Sequence, residues 1–136
     1  MTDKSRTLSL MALKQKAKVA ETLTEVGRIA RQKAEAEAMA EKLESMLAQR
    51  REGAVGPRLA TDLMAERNLT GQLLTEAERQ RQRWATLAQD LVQHQAMLAQ
   101  QEHRLQTLGD KAKAAKVEDL RDRQAKVDAA QPPRKR

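Results

Sequence analysis

From Trp84 to Ala115 the chain places apolar or core-tolerated residues at alternating spacings of three and four. The series is Trp84, Leu87, Leu91, His94, Leu98, Gln101, Leu105, Leu108, Ala112 and Ala115, and Leu73 and Ala77 extend it upstream. This is heptad spacing, which draws a narrow stripe along an α-helix. A stripe this narrow cannot wrap a globular core, but it can zip against another helix. The chain is therefore expected to offer contact surfaces rather than an enclosed active site.

Composition points the same way. The 136 residues include one Trp, no Phe and no Tyr, and aromatics supply much of the buried area of compact cores. A third of the residues are charged, and only five Gly and three Pro interrupt them, which is the make-up of long helices and not of sheet. Cysteine is absent, so no disulfide or thiolate chemistry is available, as suits a reducing compartment. The apolar part of Leu8–Leu13 is too short for a signal-peptide core, and no run approaches the roughly 18 apolar residues of a membrane span. A soluble cytoplasmic protein is expected, and in that setting the sequon Asn68-Leu69-Thr70 carries no meaning.

The net charge of +7 is unevenly placed. Residues 1–20 carry +4, residues 111–136 carry +5, and the stretch between them sums to −2. In a helical hairpin the two chain ends would lie together and concentrate positive charge at one end.

A second seam precedes the first. Leu8, Ala12, Gln15, Val19, Thr22, Val26, Ile29, Lys33, Ala36, Ala40, Leu43 and Leu47 are again spaced by threes and fours, with Met11 and Leu23 expected to widen the stripe. The break between the seams is Gly53-Ala-Val-Gly-Pro57: two glycines to end one helix and a proline suited to the first turn of the next. The expected fold class is all-α, a long antiparallel two-helix coiled-coil hairpin. A soft point at Asn68–Gly71 predicts a short helix at the tip, about 58–68, folded across it. The expected division is a first arm over 7–51, a tip over 52–71, a second arm over 72–129 and a disordered basic tail over 130–136. In this register Trp84 faces the Ala34–Ala40 region. Leu120 and Val127 fall outside the seam.

Little in the chain suggests chemistry. His94 and His103 lie nine residues apart, on opposite sides of a helix, and cannot share a metal. His94 reads as a polar seam residue that sets register, and His103 as solvated. No zinc, phosphate-loop or nucleophile-elbow motif is present. The expectation is a non-enzymatic protein with no cofactor, no metal and no small-molecule substrate. The scattered Met residues read as core or edge packing. The basic ends raise nucleic acid as an alternative partner. No stacking aromatics accompany the lysines, however, and acids interleave with them after residue 117. A generic helical adaptor, or a homodimer zipped through the second helix, is the other alternative.

The layout resembles the FliJ/YscO family, the small cytoplasmic stalk proteins of flagellar and type III secretion export. The likeness is carried by Leu8-Ser-Leu-Met-Ala-Leu13, by Arg31-Gln-Lys-Ala-Glu-Ala-Glu-Ala38 and by Leu98-Ala-Gln-Gln-Glu-His-Arg-Leu105. It covers nearly the whole chain, as architecture and composition. The resemblance implies a stalk whose terminal end sits in a hexameric export ATPase and promotes its assembly. It further implies a tip that contacts an export gate membrane protein, with export chaperones as further partners. It would act in the cytoplasm, peripheral to the inner-membrane export apparatus. Carried onto this chain, Lys14, Lys16, Lys18, Lys111, Lys113 and Lys116 become the ATPase-end candidates. Leu59, Leu63, Leu69 and Leu74 become the tip candidates. The tip lacks the aromatics that a strong interface would bring.

Overall fold

The computed structural model describes residues 3–52 and 59–131. They form two helices, α1 (Asp3–Glu52) and α2 (Ala60–Ala130), packed against each other in an all-α, two-helix hairpin fold, with no strand among the described residues. The expected break at Gly53–Pro57 and the basic tail from Pro132 onward lie outside the described residues. Two compact units divide the helices. Unit 1 takes residues 1–24 and 96–136, and unit 2 takes residues 25–95.

Both helices run further than their patterns suggest. α1 starts at Asp3 rather than near Thr7, with Asp3 in the first turn, where a carboxylate suits the positive end of the helix dipole. Ser5 is fully buried, so the seam gains a layer ahead of Leu8. A serine is not apolar, and the spacing rule passes over it. Arg50 and Arg51 occupy the last turn of α1 and complement its carbonyl end. At the start of α2, the Leu63 amide donates to the Leu59 carbonyl at 3.1 Å, and Asp62 lies in the first turn.

The short tip helix is not formed. α2 continues through Asn68–Gly71 without interruption, so residues 60–71 extend the second helix and do not fold across the tip. A glycine inside a helix costs only about 1 kcal/mol relative to alanine. Half-buried Thr70 and Leu73 and buried Ala77 hold the helix on both sides of that cost. Gly109 is likewise absorbed within α2.

In unit 2 the core is apolar. Leu43, Leu47 and Ala77 form a buried cluster with Leu73 packed against it. Stepping seven residues back along α1 and seven forward along α2 from this cluster sets Ala36 and Ala40 against Trp84 and Gln80. Ala36 and Ala40 have no exposed surface. The Lys33 ammonium stands 5.4 Å from the Trp84 ring centroid, within cation–π range, at the start of the alanine-rich stretch expected to face the ring. His94 is half-buried on the seam, its Nδ1 paired with the Asp90 carbonyl at 2.8 Å. Gln80 is a seam residue missing from the apolar series.

Across unit 2 the Arg81 guanidinium forks onto Glu44, donating at 2.8 and 2.9 Å to its two carboxylate oxygens. That hydrogen bond holds the Glu44 carboxyl below its ordinary value of 4.5. A lowered folded pKa stabilises fully above pH 4.5 and loses that stabilisation as pH falls through the folded value. The pair is half-exposed, so the effect is small and screened by salt. Glu44→Gln is expected to flatten part of the acid-side decline of the thermal midpoint. An unchanged pH profile would show that the fork contributes nothing.

In unit 1 the seam is more polar. Gln15 is buried and donates through Nε2 to the Gln101 carbonyl at 3.2 Å, while the Thr22 hydroxyl donates to Gln101 Oε1 at 2.6 Å. Gln101 thus links two turns of α1 at once, and a slip in register would break both bonds. Gln101→Leu is expected to cost roughly 1–3 kcal/mol by leaving the Thr22 hydroxyl unpaired, and adding Thr22→Val should return most of it. Urea unfolding of the single and double variants checks this, and a double variant no better than the single one would contradict it. Ala112 and Ala115 close the buried seam towards the chain ends. Met11 and Leu23, expected to widen the α1 stripe, are 48% and 56% exposed. They flank the seam, and two helices alone cannot cover flanking positions. Leu120 and Val127 are exposed, as their phase requires.

Candidate interaction surfaces

Unit 1 carries all six lysines expected at the ATPase end. Lys14, Lys16 and Lys18 on α1 and Lys111, Lys113 and Lys116 on α2 are exposed. They do not share one face. Residues two apart on a helix turn by about 200°, so Lys16 stands opposite Lys14 and Lys18 on α1, and Lys111 stands apart from Lys113 and Lys116 on α2. One open groove of about 420 Å³ lies along the unit, lined by Lys4, Leu8, Lys111, Ala114, Ala115 and Glu118. Of the six candidates it includes only Lys111. Lys4, absent from the candidates, is brought in because α1 begins earlier than its pattern suggests.

In unit 2 the four tip leucines are all solvent-accessible, from Leu69 at 40% to Leu59 at 73%. Leu69 and Leu74 are exposed by helical phase, beside the half-buried Thr70 and Leu73. Leu59 lies just ahead of α2 and Leu63 in its first turn. Leu63 and Leu74 line an open groove of about 480 Å³ together with Leu47, Arg50, Arg51 and Arg67. Leu59 and Leu69 do not line it. The three arginines are absent from the expected tip residues, although the sequence sets a basic last turn of α1 ahead of a Leu-rich opening of α2.

Among the described residues no group of three or more His, Cys, Asp or Glu side chains could hold a metal ion. No described helix is long and apolar enough to cross a membrane. The side chains that line the two grooves are mainly cations and aliphatics, with Glu66 and Glu118 among them. Comparison of the chain with protein-family models, with curated proteins and with solved structures finds no match.

Proposed function

We propose that this chain is a non-enzymatic interaction protein of a flagellar or type III export apparatus, the stalk and activator of its ring-shaped ATPase and a link to the export gate. The observation that carries this reading is the division of labour within the helices. The seam residues zip α1 to α2, and the exposed lysines of unit 1 and exposed leucines of unit 2 are left for partners. A stalk requires this arrangement, because its own folding must not consume the surfaces that it presents. The cationic unit enters the ATPase ring, where one asymmetric coiled coil in a symmetric hexamer biases which subunit closes on nucleotide. The tip leucines meet the gate, and export chaperones bind along the same protein in the cytoplasm.

The test is turnover of the cognate export ATPase with and without the full chain. Stimulation, with co-migration of the chain and the hexamer on gel filtration, is expected. The absence of both rejects the proposal.

A further inference from the structure

We infer that one edge of unit 1 is a docking groove for an acidic amphipathic helix, seated between α1 and α2 as a third helix. The inference rests on the proposed role of this lysine-bearing unit in partner binding, and it names the chemistry of the partner. Leu8, Ala114 and Ala115 form an aliphatic floor, with Lys4, Lys111 and Glu118 around it. Residues seven apart lie on nearly the same side of a helix. By that step Lys4 leads to Met11 and Lys18 along α1, and Glu118 leads to Lys111 and Arg104 along α2. All six are exposed. The groove therefore lies at one end of an exposed edge roughly 21 Å long, with Met11 midway and four cations against one carboxylate along it.

The opposite edge of the same unit differs. There the seven-residue steps run Ser9, Lys16 and Leu23 on α1 and Glu102, Gly109 and Lys116 on α2, with only two cations. A helix with leucines at spacings of three and four and glutamates beside them matches the first edge in both apolarity and charge. Nucleic acid fits it poorly, since the floor offers no ring on which a base could stack and Glu118 repels phosphate. A second copy would set lysine against lysine.

The experiment uses the full chain, labelled with nitrogen-15, and a designed acidic helical peptide with leucines on one face and glutamates flanking them. Amide shifts are expected at Lys4, Leu8, Met11, Lys111, Ala114 and Ala115, with affinity falling as salt is raised. Lys18→Glu with Lys111→Glu should weaken binding by at least about tenfold, whereas Lys16→Glu with Lys116→Glu, the same change in net charge, should weaken it by less than about twofold. Circular dichroism confirms that both variants keep their helices. Equal losses in the two variants, shifts confined to the opposite edge, or a single-stranded RNA giving the same shifts and displacing the peptide overturns the groove. If the chain fails to stimulate the ATPase yet the peptide shifts these residues, the stalk proposal falls and the groove stands. Stimulation with no peptide-induced shift has the reverse meaning.

Discussion

Trp84→Ala is expected to destabilise the protein by roughly 3 kcal/mol, the lower end of the range for truncating a large aromatic, because Trp84 is half-buried rather than enclosed. The loss has a specific origin. Ala36 and Ala40 have no exposed surface although each side chain is one methyl group, so a large neighbour must cover them. One heptad on from the cluster of Leu43, Leu47 and Ala77, Trp84 is the residue expected to cover Ala36. Removing the indole opens a void beside a methyl group that cannot expand to fill it. The reciprocal change, Ala36→Leu, adds volume beneath the ring and should cost roughly 1–3 kcal/mol by forcing the helices apart. Together the two changes move bulk from one helix to the other at nearly constant total volume. The double variant should be more stable than the sum of the single losses by at least about 1 kcal/mol, since residues in direct contact couple. Urea unfolding followed by circular dichroism measures all three variants without needing the lost tryptophan. Additive losses would mean that Ala36 and Trp84 do not share a layer, and the register of unit 2 would have to be redrawn.

The seams were legible because helix–helix pairing imposes a period that polar interruptions do not erase. Gln15 and Thr22 kept their places in it, and both are buried. An apolar series omits Ser5 and Gln80 for the same reason that it admits Met11 and Leu23. Residue type was weighed where phase decides. Ser5 and Gln80 are in phase and face the partner helix, whereas Met11 and Leu23 lie to the side of the stripe and stay exposed. The continuous α2 misled for an energetic reason. Asn68 and Gly71 are weak helix formers, but a local cost of about 1 kcal/mol yields to a helix already anchored at Leu73 and Ala77. The interaction surfaces were legible only as residues, not as sites. That Lys111 lines a groove with Lys4 while Lys113 does not depends on where α1 begins and on which side of α2 faces it, and neither can be read from a charge count.

Exchanging Lys14, Lys16, Lys18, Lys111, Lys113 and Lys116 for glutamate is expected to abolish ATPase stimulation and to weaken co-assembly by at least about tenfold, the equivalent of 1.4 kcal/mol. Each exchange moves the net charge by two, so the six together take it from +7 to −5. All six side chains are exposed and none belongs to the seam, so the fold should survive with its helicity intact. Raising salt should weaken the wild-type association, because exposed charges are screened. The tip supplies the opposing experiment. Leu59 lies just ahead of α2 and Leu63 in its first turn, and both are exposed, so Leu59→Asp with Leu63→Asp also leaves the helices standing. That variant should stimulate the ATPase like wild type while losing its hold on the gate protein in pull-down. The lysine variant should retain the gate and lose the ring. A stalk needs the two losses to separate. If either variant abolishes both activities while circular dichroism shows intact helices, the two surfaces serve one partner, and the division of work between the lysines and the leucines is wrong.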